Sequence, residues 1–142
     1  MPTNHFHKIF RAFQPANIEK GEPVIVDFIS VNGNMFITIH NEVDVGMRDI
    51  SISFNQKLTG PSGKNLNDIN LFKNISFLAA GREFEVFAGR TDHFIDSLKD
   101  TKIKVNVSLK LPGQKKYSYS IEHDLSIYTD LPQIINKKEE NL

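Results

Sequence analysis

His5 and His7 form a His-x-His pair, which on an extended strand would point both imidazoles at one metal ion. Residues 4–14 carry a helical pattern instead, and on a helix positions i and i+2 diverge by about 200°, so the pair cannot share an ion unaided. His40, His93 and His123 are scattered, and the chain has no Cys to complete a site. Asp92, His93 and Asp96 cluster near Arg90, a grouping that could host acid–base work. No Ser in a Gly-x-Ser-x-Gly setting accompanies them, and Asp92 is expected as a turn or N-cap residue before HFIDSL. Gly60-Pro-Ser-Gly-Lys64 lacks the spacing of a phosphate loop: Leu58 stands where the first glycine belongs, and Asn65 where a Mg²⁺-binding hydroxyl belongs. The sequence therefore predicts no catalytic residue, no metal site and no cofactor.

Two features carry interaction chemistry. Between residues 99 and 116 stand Lys99, Lys102, Lys104, Lys110, Lys115 and Lys116 against Asp100 alone. Such a basic stretch beside Tyr117 and Tyr119 could track a phosphate backbone while a ring stacks on a base. The alternation puts the tyrosines on the opposite face from the lysines, however, with Glu122 and Asp124 across from them. A solvated strand protected by lysine is the simpler reading, and nucleic acid is the second choice of partner. The other feature is the stripe Phe6, Ile9, Phe10 and Phe13, at i, i+3, i+4 and i+7. It predicts one short helix, with Asn4 as N-cap and Pro15 ending it. So short a helix has too little intrinsic stability to stand free. It must dock: on its own sandwich closing one open end, on a protein partner, on a second copy of the chain, or on a membrane surface. Lys8 and Arg11 are few cations for the last.

The elements that must position these residues follow from composition and period. The 142 residues are 39% hydrophobic, 10% aromatic and 24% charged, with 17 basic groups against 17 acidic. One soluble domain is expected, able to bury roughly 68% of its unfolded surface without disulfide or metal. No window approaches about 20 consecutive apolar residues, and the start MPTNHFHKIF has no apolar stretch of the secretory kind, so a cytoplasmic protein without a membrane span is expected. From Pro23 the period changes to two. PVIVDFISV and MFITIHN flank Asn32-Gly33, a type I′ turn signal; Val31 should then oppose Asn34, with Val26, Phe28 and Ser30 sharing a face with Ile39, Ile37 and Met35. RDISISFNQKL, INLFKNISFL and REFEVFAG read as further strands, the last two around Ala79-Ala80-Gly81. TGPSGKNLND is a loop, and TDHFIDSLKD a turn with one helical piece whose Phe94, Ile95 and Leu98 cover an open end of the core. In the final hairpin the apolar sets centred on Val105 and Tyr119 share a face only if opposed residue numbers have an even sum; the shortest such register pairs Leu111 with Tyr117 and Lys104 with Asp124. About seven strands with almost no helix between them predict an all-β, antiparallel two-sheet immunoglobulin-like β-sandwich with a short N-terminal helix. Residues 1–22 form the helix and linker, 23–129 the sandwich, and 130–142 a flexible tail.

FITIHN, then RDISISF, then FLAAG before REFEVF resembles immunoglobulin-like bacterial modules of the CARDB type, over roughly residues 23–128. It is also similar to a group of bacterial proteins that carry such a sandwich behind an N-terminal helix or membrane anchor. Asn41 matches the strand-end Asn whose side chain caps the turn, and Leu78 and Gly81 match the later corner. EVDVGM and Ala80 depart from the pattern, which has a Gly-rich turn and Pro there. The resemblance implies an adhesive or spacer module with no chemistry of its own. A non-enzymatic protein-binding or assembly module is the expected function.

Overall fold

The structure is a computed structural model that describes residues 21–113 and 115–133. Val24–Val31 (β1) and Asn34–Asn41 (β2) form the first hairpin. Its turn residues Asn32 and Gly33 have φ of 52° and 79°, the paired positive values that a type I′ turn demands. Val31 opposes Asn34 as predicted, so Val26, Phe28 and Ser30 face Ile39, Ile37 and Met35 across the pair, and all six are buried. Met47–Phe54 (β3) alternates as read, with Ile50, Ile52 and Phe54 in and Ser51 and Ser53 out. Asp49, at φ 52°, sits in a bulge between Arg48 and Ser51.

INLFKNISFL is not one strand. Only Ile75–Leu78 (β4) is extended, and Asn70–Lys73 (α1) is a single helical turn. Ile69 and Phe72 are three apart, so one turn of helix brings both to the core where a strand would split them between faces. Phe72 is fully buried, its ring edge-on to Phe54 at 5.2 Å. Glu83–Arg90 (β5) does not pair with β4: the turn at Ala79-Ala80-Gly81 carries the chain from one sheet to the other. Thr91–Ser97 (α2) is the expected helical piece, with Phe94 and Ile95 buried and Leu98 packed against the core. Its N-cap position is Arg90, not Asp92, which lies inside the first turn. Thr91 is pinned to β1 by the Ser30–Thr91 hydroxyl pair at 2.7 Å.

Lys102–Lys110 (β6) and Lys116–Asp124 (β7) close the strand set. The even-sum rule holds, but the register differs by two from the predicted one. Leu109 opposes Tyr117, and Lys104 opposes Glu122. The predicted register would draw Pro112 into the ladder, and proline has no N–H to give it. Pairing stops instead at Leu111, whose N–H donates to Lys115 O at 2.7 Å, and Gly113 takes φ 91° in the turn. β7 ends one residue before Leu125: the Asp124 carboxylate accepts the Ser126 N–H at 3.0 Å, and a 3-10 run follows over Leu125–Gln133. This run crosses the boundary predicted at 129/130. The predicted helix over residues 4–14, its N-cap Asn4, and residues 134–142 lie outside the described residues.

The seven strands make two antiparallel sheets, β1-β2-β5 and β4-β3-β6-β7, packed as an all-β sandwich around one core. Two polar devices hold its margins. Asn41, fully buried, ends β2. Its Nδ2 donates to Val45 O at 2.8 Å, Leu78 O at 3.0 Å and Ala79 O at 3.2 Å, and its Oδ1 accepts the Val43 N–H at 3.0 Å. At the other margin, β7 and the run after it seal the free edge of β1. The Tyr119 hydroxyl donates to Val24 O at 2.6 Å and accepts the Val24 N–H at 3.0 Å; His123 Nε2 meets Val26 O at 2.8 Å; the Tyr128 hydroxyl donates to Phe28 O at 3.2 Å. An edge satisfied by side chains no longer templates pairing with another chain. Burial pushes the Tyr119 hydroxyl far above its ordinary ionisation range, and Tyr128 is raised for the same reason. Tyr119→Phe should cost about 1–3 kcal/mol in chemical denaturation, because both polar groups of Val24 lose their partner. A raised tyrosine pKa stabilises the fold below the unfolded value near 10 and stops doing so as pH climbs beyond it. The wild-type chain should therefore lose stability above about pH 10 more steeply than Tyr119→Phe.

Candidate functional site

With both inner faces consumed by the core, the outward positions of each strand make two faces of opposite character. On the β3-β6-β7 side, alternation and register set side chains in cross-strand rows. Arg48, Lys110 and Lys116 form one row; Ser51, Ser108 and Ser118 the next; Ser53, Asn106 and Ser120 the third. Beyond these, Lys104 faces Glu122 and Lys102 faces Asp124. The predicted basic patch is thus split. Lys102 and Lys104 have carboxylates opposite them, while Lys110 and Lys116 oppose each other at the turn end with Lys115 nearby. Asp49, 3.4 Å from Lys110 Nζ, offsets charge there. Arg48, which sequence reading did not single out, is brought beside Lys110 by the bulge at Asp49, and its guanidinium lies 4.7 Å over the Phe77 ring. A shallow groove of about 530 Å³ runs along the Ser and Asn rows under Lys73.

The β1-β2-β5 side is apolar and acidic. Ile29, Phe36 and Phe87 stand in one cross-strand row; Asp27, Thr38 and Glu85 in the next; Ile25, His40 and Glu83 in the third. The Phe36 and Phe87 rings lie 5.7 Å apart, and Phe87 is 49% exposed. A bulge after Met35 and Gly89 at φ 106° set this pairing. The His40 ring meets the Glu42 carboxylate through Nδ1 and Gly81 O through Nε2 at 3.2 Å, so both nitrogens are occupied by acceptors. Alternation in PVIVDFISV and REFEVF held the signal for this face. β1 has Ile25, Ile29 and Val31 at outward positions, and Phe87 follows inward Val86. A strand apolar on both sides is one whose outer face is covered or used.

The remaining candidates do not converge. The Asp92 carboxylate accepts from Arg90 Nη2 at 2.6 Å and from the His93 N–H at 2.8 Å. Desolvation works to raise it, but these donors hold it below the usual carboxylate range, which makes it a weak base. His123 serves the β1 edge. Gly60 to Lys64 forms a loop with a 3-10 turn over Pro61–Gly63, followed by no helix that could cradle phosphate. Among the described residues no three His, Asp or Glu side chains gather as a metal site, and no helix is long and apolar enough to cross a membrane. The predicted contact residues Phe6, Ile9, Phe10 and Phe13, and the His5–His7 pair, lie outside the described residues.

Comparison with known proteins adds one finding. No curated protein and no solved structure matches the chain. A family model described as a domain of unknown function, DUF8453, matches residues 9–129. That match takes in all seven strands and Ile9, Phe10 and Phe13 of the N-terminal stripe. The chain therefore belongs to the DUF8453 family.

Proposed function

We propose that the chain is a non-enzymatic protein-binding or assembly module on an immunoglobulin-like sandwich, and that it makes its contact through the outer face of the β1-β2-β5 sheet. The observation that carries this is the row of Ile29, Phe36 and Phe87, an apolar patch with an exposed ring rimmed by Asp27, Glu83 and Glu85. Aromatic side chains at the centre of a polar rim are the usual anchors of protein interfaces. The strand arrangement, β1-β2-β5 against β4-β3-β6-β7, supports the immunoglobulin-like reading. So does the Asn41 contact with Leu78, a position that matches the corner of CARDB-type modules. The test is affinity capture with wild-type chain, Phe87→Asp, and Lys110→Glu/Lys116→Glu as parallel baits, quantified by mass spectrometry, with sedimentation to score self-association. A partner, or a second copy, lost with Phe87→Asp and retained by the lysine variant is expected. A partner set indifferent to Phe87→Asp overturns the assignment.

A second reading rests on the row of Arg48, Lys110 and Lys116 beside the Ser and Asn groove, which suits a polyanion such as single-stranded nucleic acid. Three phosphate contacts would give log affinity against log salt a slope of about −2 for a single strand. Binding that does not weaken between low and physiological salt would rule this reading out.

A further inference from the structure

We propose that the chain assembles with copies of itself face to back: the outer face of the β1-β2-β5 sheet of one copy meets the outer face of the β4-β3-β6-β7 sheet of the next. The inference rests on the reading above, which gives the first of these faces to protein contact, and it names both the partner and the surface that the partner offers. The observation behind it is a row that crosses the whole second sheet. Phe77 opposes Arg48, Arg48 opposes Lys110 and Lys110 opposes Lys116, so one ring and three cations stand in line across β4, β3, β6 and β7. The first sheet carries the opposite sign. Phe87 ends its apolar row, and the two rows beside it hold Asp27, Glu83 and Glu85 with no lysine or arginine among them. Phe77 is 46% and Phe87 49% exposed, and among the described residues these are the large exposed apolar side chains that lie on strands. Each face thus joins one exposed ring to charge of one sign. Two like faces would set acid against acid or cation against cation, which costs affinity, whereas unlike faces match. With 17 basic and 17 acidic groups the chain has no net charge to hold copies apart. The two sheets enclose the core with their inner faces, so their outer faces point in opposite directions. A contact between unlike faces leaves one of each unused at the ends, and growth is then open rather than closed at a dimer.

Three strands about 4.8 Å apart and rows roughly 7 Å apart give each face a few hundred Å², below the roughly 800 Å² per partner of a standard interface. Association should therefore be weak, and sedimentation of the purified full chain from about 10 to 500 μM is the range that reads it. The mean mass of wild type should climb with concentration without levelling at a dimer. It should fall when sodium chloride is raised from about 10 mM to about 1 M, which shortens the screening length from about 30 Å to about 3 Å. Glu83→Lys/Glu85→Lys and Lys110→Glu/Lys116→Glu should each weaken association about tenfold or more, because each makes both faces of a copy alike in sign. Mixed in equal amounts, the two variants should return to within about threefold of wild type, since every contact between them again joins opposite charges. A monomer at every concentration overturns the proposal. So does a mass that levels at a dimer, association that survives either reversal, or a mixture that stays monomeric while both variants melt like wild type. If a double variant melts early, the single changes Glu83→Lys and Lys116→Glu take its place and are scored in the same way. The reading above has its own test: capture of a different protein that is lost with Phe87→Asp would uphold it even if the chain never met a second copy.

Discussion

Asn41→Ala should cost about 3–5 kcal/mol. The side chain has no exposure, and its amide and carbonyl bond four backbone groups of two loops. Removing it leaves three carbonyls and one N–H to find water or stay unpaired, at about 1–3 kcal/mol for each that stays buried. A domain of ordinary stability, about 5–15 kcal/mol, would keep only part of its margin. Asn41→Asp should be worse, because an ionised carboxylate would then point at the oxygens of Val45, Leu78 and Ala79. Such a group folds only when protonated, so its native pKa lies above the unfolded value near 3.9. The sign follows from linkage: the penalty is smallest below about pH 4 and grows as pH rises toward 7. Urea denaturation followed by tyrosine fluorescence, across pH, reads both effects; the chain has no Trp to obscure the three tyrosines. An alanine variant within 1 kcal/mol of wild type, or an aspartate variant whose loss does not depend on pH, would refute the role given to Asn41.

Phe28→Ala should lose a similar amount, about 3–5 kcal/mol, for an apolar reason. Phe28 is 3% exposed in β1 and meets four different parts of the fold. Its ring lies 6.1 Å from Phe54 in the opposite sheet, 6.1 Å from Phe94 in α2 and 5.1 Å edge-on from His123 in β7, and its carbonyl takes the Tyr128 hydroxyl. Truncation opens a cavity that close-packed neighbours on three elements cannot all collapse into. Phe28→Leu, nearer in volume, should cost about 1–1.5 kcal/mol, and Phe87→Ala on the outer face only a few tenths. Equal losses at Phe28 and Phe87 in thermal melts would show that the core is not where the packing places it.

How far these positions were legible differs residue by residue. Phe28 was readable as a core residue, because Asn32-Gly33 leaves the hairpin only one register that keeps its apolar residues together. The alternation of β3 was equally plain. Asn41 carried a hint through its place at a strand end, but its acceptors at Leu78 and Ala79 lie some forty positions on, and no local pattern points there. α1 was hidden because Ile69, Leu71 and Phe72 satisfy a strand period and a helix turn about equally well over so few residues. The last hairpin kept its predicted parity and lost its predicted register to a single missing N–H at Pro112. Of the candidate sites, the basic stretch was visible as lysines with Glu122 and Asp124 across from them. The row that joins Lys110 and Lys116 to Arg48 exists only because β3 lies beside β6.

By itself the sequence decided which residues are extended, which side of each strand is greasy, and where the tightest turn falls. Those depend on pleat geometry and on partition from water, and both act within a few neighbouring positions. The tertiary structure alone decided which strands are neighbours, and with that the acidic aromatic face, the split basic face, the sealed edge of β1 and the partners of Asn41. Each of these depends on at least one pairing between residues about 40 to 100 positions apart, and such contacts form only when the whole core closes and repays the entropy of its loops together.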